Sequence, residues 1–249
     1  MSSPEILAIV PAYNEAPRIA AVVAGLVGQG LPVLVVDDGS TDGTGEVARG
    51  ACAEVLRLEP NRGKGAALKA GFELALTAGV ETSAPHPPEL GKLWDVILSL
   101  DGDGQHDPAE VPRFLDALAR SGADLIVGAR DYRSMPPIRW FTNTVSRRLF
   151  SLALGHYIPD NQSGYRLRSR RLAEAVLTSP EEGFAFEVEE IAICVGRGFK
   201  LGWVPIKTIY GTETSHIKPW THFASFVRVT RRARRRMRQE RRHTSHIPL

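Results

Sequence analysis

The chain has no apolar run near the roughly 18 residues that a membrane-spanning helix needs; its longest runs cover residues 7–10, 33–36 and 96–98. Residues 1–11 carry neither a basic n-region nor a cleavage-site pattern, so a cytosolic location is expected. Cysteine is scarce. Cys52 and Cys194 lack metal-ligand spacing, which excludes a disulfide scaffold and leaves both as expected packing thiols. Two nucleotide signatures are also missing. Gly63-Lys64-Gly65 has no upstream glycine at the Walker spacing and no Ser or Thr after Lys64, and no G-x-G-x-x-G follows a strand, so a dinucleotide cofactor is disfavoured.

What remains is a 249-residue chain, 43% apolar and 24% charged, of ordinary globular composition. Its net charge of +3 is unevenly spread. Residues 228–242 hold nine arginines and one glutamate, a local +8, which leaves −5 on everything else. The body is mildly acidic and the tail strongly basic.

Strand-like and helix-like segments alternate from the start. Residues 6–10, 33–36, 54–58, 95–100 and 124–127 read as buried strands. Between them, residues 17–26 and 65–76 read as helices, the latter with Ala67, Leu68, Gly71, Phe72 and Leu76 on one stripe. Asp107 or Pro108 opens a further helix to about Arg120, and residues 83–88 read as an inserted surface loop. Repeated β-α units predict an α/β fold with a mostly parallel sheet covered by helices on both faces.

In such sheets ligands sit beyond the carboxyl ends of the strands, where this sequence places its polar clusters: residues 11–15, 37–42 and 101–106. Any one could be a solvated turn; three in register point to one crevice. Asp101, Asp103 and Gln105 present oxygen donors at alternating positions, which suits Mg²⁺ or Mn²⁺. An EF-hand fails, because the loop from Asp38 reaches Arg49 where a glutamate is required and the loop from Asp101 lacks the central glycine.

Five motifs then occur in order: Val10-Pro11-Ala12-Tyr13-Asn14-Glu15, Val36-Asp37-Asp38-Gly39-Ser40-Thr41-Asp42-Gly43-Thr44, Asn61-Arg62-Gly63-Lys64-Gly65, Asp101-Gly102-Asp103-Gly104-Gln105-His106 and Asp160-Asn161-Gln162-Ser163-Gly164-Tyr165-Arg166. The set resembles family 2 glycosyltransferases of the GT-A fold, most closely the dolichol- or polyprenyl-phosphate sugar transferases, over roughly residues 5 to 218. The resemblance implies a Rossmann-like GT-A catalytic domain over 1–219 and a basic amphipathic helix and tail over 220–249.

It further implies that Pro11, Ala12, Tyr13, Glu15, Val36, Asp38, Lys64, Asp101 and Gly102 bind a nucleoside-diphosphate sugar, with Ser215, His216 and Lys218 in a loop closing over its phosphates. Tyr13 offers a ring face, or packs in the core. Asp101, Asp103 and Gln105 would hold the divalent metal, and Arg130 would contact phosphate or form a surface ion pair. Residues 140–154 resemble an acceptor-side amphipathic helix, with Trp140, Phe141, Val145, Leu149, Leu152 and Ala153 apolar and Arg147-Arg148 exposed; a plain core helix fits the same pattern. Asp160, Gln162 and Ser163 would line the acceptor side, and Arg139, Arg166 and Lys218 would meet its phosphate. Glu187 would face the site as a general base or serve the helix dipole.

The expected catalytic set is therefore Asp103, Arg130, Arg166 and Glu187, and the expected reaction is inverting sugar transfer to a polyprenyl phosphate. Residues 210–219 lack an arginine found in dolichol-phosphate mannose synthases, resemble the prokaryotic polyprenyl-phosphate branch, and leave GDP-mannose or UDP-glucose open as donor. A transferase acting on a small non-lipid acceptor stands as the alternative. Nucleic-acid binding is set aside, because the acidic body offers no extended basic footprint. In the tail, Trp220, Phe223, Phe226, Val227, Thr230, Ala233 and Met237 recur at helical spacing among arginines, which suits a bilayer interface; a helix packed on the body or a disordered polybasic tail would fit too.

Overall fold

The computed structural model describes residues 4–77, 94–131, 137–207, 209, 228–232 and 234, with side chains omitted over 137–143. The loop expected at 83–88, the loop residues Ser215, His216 and Lys218, and the Arg139 side chain lie outside the described residues.

Seven strands form one sheet in the order β3-β2-β1-β4-β6-β5-β7. They are β1 (Ile6–Ala12), β2 (Val33–Asp37), β3 (Glu54–Arg57), β4 (Val96–Ser99), β5 (Leu125–Arg130), β6 (Arg166–Ser169) and β7 (Leu201–Ile206). All pairings are parallel except those of β6, which runs antiparallel between β4 and β5. Among the described residues up to 207 the α-helices are α1 (Ala16–Gly28), α2 (Thr44–Gly50), α3 (Lys64–Leu76), α4 (Val111–Ser121), α5 (Pro137–Leu154), α6 (Arg170–Val176) and α7 (Ala185–Gly196). A 3-10 turn, Pro108–Glu110, leads into α4, with the Asp107 carboxylate accepting from the Ala109 amide at 2.9 Å.

Because successive strand residues point to opposite faces, β1 feeds two cores. Leu7 and Ile9 pack with Phe72, Phe186 and Ile191 under α3 and α7, while Ala8 and Val10 pack with Ile19, Val23 and Phe114 under α1 and α4. Cys194 lies in the first core, its thiol pushed well up by burial. Cys52 departs from expectation: it is exposed, at a φ of 71°.

In α5 the core face is Thr144, Phe150 and Leu154. Val145, Leu149 and Leu152, expected among the apolar positions, form an exposed stripe at i, i+4 and i+7 instead. The helical residues 228–232 change the reading of the tail in the same way. Val229, which is absent from the expected stripe, is fully buried with Phe150, Phe186 and Ile191, Thr230 is half-buried, and Arg228, Arg231 and Arg234 face outward. Part of 220–249 thus packs on the body. Among the described residues no helix is long and apolar enough to cross a membrane.

Candidate active site

The carboxyl ends of β1, β2, β4 and β5 point the same way, and the loops after β1 and β2 interlock. Asn14, held at a φ of 57°, accepts from the Thr41 amide through Oδ1 at 2.9 Å and donates its own amide to Ser40 Oγ at 3.0 Å. The Glu15 amide bonds Thr44 Oγ1 at 2.8 Å, and the Ala16 amide bonds Asp42 Oδ2 at 3.0 Å. The first two motifs therefore form one rigid ledge. Tyr13 stands on its rim with half its surface exposed, a ring face rather than a core residue. Glu15 is turned to Arg18 Nη1 at 3.0 Å.

Several expected nucleotide contacts are interior. Pro11, Ala12, Gly102 and Val36 are buried, and Val36 is a core residue in the cluster that holds Leu34 and Phe72. Asp38 is also buried, and its carboxylate accepts the Arg62 amide at 2.9 Å and the Gly63 amide at 2.7 Å. Its visible task is to fold the loop that launches Lys64.

Gly63 sits at a φ of 97°, in the left-handed region where glycine carries no steric penalty. At Gly65 a β-carbon would lie 2.6 Å from Phe186 Cβ and 2.8 Å from the Glu182 backbone, so the start of α3 touches the start of α7 without slack. That closeness places Lys64 Nζ 2.6 Å from Asp101 Oδ1 and 2.9 Å from Glu187 Oε1. Burial alone would depress the Lys64 amine, but the Asp101 and Glu187 carboxylates outweigh it and hold the amine above its usual range. Asp101 answers in kind: burial would raise its carboxyl, and Lys64, His106 and Arg130 together hold it low. His106, ringed by protein and 3.9 Å from Asp101 Oδ2, is pushed by burial down to about 4 and is neutral at pH 7.

Asp103 and Gln105 occupy the turn after Asp101, half-buried, with Asp103 Oδ1 accepting from the Gln105 amide at 3.0 Å. Among the described residues no cluster of three Asp, Glu, His or Cys is preassembled for a metal. The donor chemistry of two carboxylates and an amide oxygen nevertheless fits a hard divalent cation.

On the other flank, Arg130 Nε and Nη2 grip Asp160 at 2.7 and 3.1 Å, and the Arg130 and Gln162 amides bond the same carboxylate. Asp160 is fully buried, so it orients Arg130 rather than facing an acceptor. Gln162 is exposed and Ser163 is buried.

Arg166, expected at the acceptor phosphate, is corrected by the structure. It has no exposed surface, and its guanidinium donates to Ser163 O at 2.7 Å, Glu187 O at 2.6 Å and Glu190 Oε2 at 2.9 Å. In that position it braces the 161–163 loop against α7.

Gly164 is a requirement that the motif quoted around it did not explain. A β-carbon there would collide with both Asp101 carboxylate oxygens. Gly164→Ala is therefore expected to displace Asp101, to cost about 1–3 kcal/mol of stability, and to lower turnover about a hundredfold. Turnover and thermal midpoint measured together check this; wild-type turnover would show that Asp101 needs no such seat.

Comparison with known proteins gives the family and the fold. The glycosyl transferase family 2 model matches residues 7–177. Polyprenol monophosphomannose synthase of Mycolicibacterium smegmatis is 32% identical over 80% of this chain and 76% of its own. Undecaprenyl-phosphate mannosyltransferase of Micrococcus luteus is 32% identical over 81% and 82%. Among solved structures, glucosyl-3-phosphoglycerate synthase from Mycobacterium tuberculosis, in complex with Mn²⁺, UDP and glucosyl-3-phosphoglycerate, superposes with a TM-score of 0.68 at 19% identity, covering 93% of this chain and 80% of that one, a likeness of fold. The chain belongs to glycosyl transferase family 2 and is a glycosyltransferase of the GT-A fold.

Proposed function

We propose that the enzyme transfers a sugar, with inversion, from a nucleoside diphosphate to a polyprenyl phosphate. The observation that carries this is the meeting of Lys64, Asp101 and Glu187 beside the Asp103–Gln105 turn at the carboxyl edge of the sheet, in a chain about a third identical to two transferases named for polyprenyl phosphates. In this reading Tyr13 and Glu15 on the ledge take the nucleoside, while Lys64 and Arg130 face its phosphates. Asp101, Asp103 and Gln105 would hold Mg²⁺ or Mn²⁺, which when bound supplies Lewis-acid neutralisation of the departing diphosphate.

The bond that forms joins the anomeric carbon to an acceptor phosphate oxygen. The bond that breaks joins that carbon to the donor's diphosphate, which leaves with the electron pair. A monophosphate with a second pKa near 6 is already anionic at neutral pH, so no proton need be removed from it. Glu187, spent on Lys64, is then a positioning carboxylate and not a base.

The outward arginines 228, 231 and 234 and the exposed stripe Val145, Leu149 and Leu152 suit peripheral contact with an anionic membrane, where the lipid acceptor resides. Labelled sugar is expected to enter a butanol-extractable product only when polyprenyl phosphate is present, with one donor preferred across a panel that includes GDP-mannose and UDP-glucose. Label that stays in a water-soluble product, independent of lipid, would replace this reading with transfer to a small acceptor.

A further inference from the structure

α7 sends three carboxylates in three directions. Glu187 meets Lys64 in the crevice, and Glu190 meets Arg166 and Arg168 in the interior. Glu189, two residues from Glu187 and so nearly opposite on a helix of 3.6 residues per turn, meets a cation from the far end of the chain. Arg232 Nη1 lies 2.5 Å from Glu189 Oε2, and its Nη2 lies 3.2 Å from Glu181 Oε1. Both acids are buried, and Val229, one turn before Arg232, is sunk in the core.

The two acids belong to the two elements that border Lys64. Glu189 is on α7, whose first turn supplies Glu187. Glu181 is in the loop before α7, and this loop is fastened to the start of α3: Glu182 O accepts the Ala66 amide at 2.9 Å, and Lys69 Nζ donates to Ser179 O at 3.0 Å. Without the guanidinium the loop and α7 lose the fork that joins Glu181 to Glu189, which frees either the loop to draw from α3 or α7 to draw from the loop. Either movement shifts Lys64 from its place between Asp101 and Glu187. A forked guanidinium spans two acceptors at once, which a single ammonium does less well.

We propose that Arg232 is a positioning residue for the crevice, clamping α7 and the 179–184 loop around Lys64 from the C-terminal segment. The kinetic consequence rests on the reading of Lys64 as a donor-phosphate ligand; the structural consequence does not. The test uses the full-length enzyme as wild type, Arg232→Ala, and the neutralised triple variant Arg232→Ala/Glu181→Gln/Glu189→Gln. The Lys64 amine is labelled with an acetylating reagent and read by mass spectrometry, with Lys200, which precedes β7 at the amino edge of the sheet and bonds Ser121 O and Asp124, as control.

Arg232→Ala is expected to raise Lys64 labelling about fivefold with Lys200 unchanged. It should also lower kcat about tenfold and raise the donor KM, with the acceptor KM unaltered. The triple variant, relieved of uncompensated charge, should recover the thermal midpoint while Lys64 stays labelled and kcat stays low. Lys64 labelling that does not rise in Arg232→Ala, or that returns to the wild-type rate in the triple variant along with the midpoint, would overturn the proposal and leave Arg232 a stability residue. Absence of transfer by the wild type to any polyprenyl phosphate would instead count against the functional reading, and the labelling would still decide the clamp.

Discussion

Replacing Asp103 with alanine is expected to lower sugar transfer about a thousandfold, because several kcal/mol of leaving-group stabilisation by a divalent ion depends on its ligands, and about 4 kcal/mol corresponds to that factor. The fold should survive. Asp103 is half-buried in a turn, its Oδ1 accepts the Gln105 amide, and no core volume is removed. Losing that bond costs about 1 kcal/mol, which lowers the thermal midpoint of a chain this size by about 2–4 °C. Asp103→Asn is the sharper variant: its amide oxygen can still accept from Gln105, so stability should stay near wild type while activity falls as far as in the alanine variant. Wild-type transfer should vanish in chelator and return with Mg²⁺ or Mn²⁺. Full activity in chelator, with metal removal confirmed by elemental analysis, would reject the role of Asp103 and its neighbours as a metal site.

The parallel half of the fold was legible because its strands are short apolar runs, each followed by a turn former and a helix. β1, β2 and β4 fall within a residue or two of the expected ranges, and the polar clusters after β1 and β2 do interlock. α2 was hidden: Thr44–Gly50 carries one large apolar residue, Val47, behind a glycine- and aspartate-rich turn. β6 was hidden for a different reason. Arg-Leu-Arg-Ser reads as a polar loop, and it becomes an interior strand only because Glu190, more than twenty residues later, neutralises both arginines.

The same long-range pairing explains the misplaced site residues. The family resemblance implied that Arg166 and Asp160 line the crevice, but no local signal shows that Arg166 turns inward or that Asp160 is gripped by Arg130. The tail shows the limit of periodicity. Any arginine-rich helix offers several faces, and the one that docks was selected by two acids on the body, Glu189 and Glu181, through Arg232. Residue type was informative; the direction of the side chain required the partner.

The largest effect on stability is expected from Glu190→Gln. Glu190, Arg166 and Arg168 all have zero exposure, and the carboxylate takes Arg168 Nε at 2.6 Å and Arg166 Nη1 at 2.9 Å. Arg168 is further held by Ser99 Oγ at 3.0 Å and lies 4.7 Å over the Phe72 ring. Neutralising the one acid leaves two guanidiniums buried side by side, and removing one partner of such a cluster costs about 3–5 kcal/mol. For a chain of this length that is a fall of about 10 °C in thermal midpoint. The pH dependence has a definite sign. Burial would raise the Glu190 carboxyl, but Arg168 and Arg166 outweigh burial and hold it below the ordinary range. Its contribution is therefore complete above the unfolded pKa of about 4.3 and is lost as pH falls through the lower folded value. The gap in midpoint between wild type and Glu190→Gln should be constant from neutrality down to about pH 5 and should narrow below about pH 4. A gap that stays constant to pH 3, or one of less than about 2 °C at neutrality, would mean that the buried arginines are compensated by something other than Glu190.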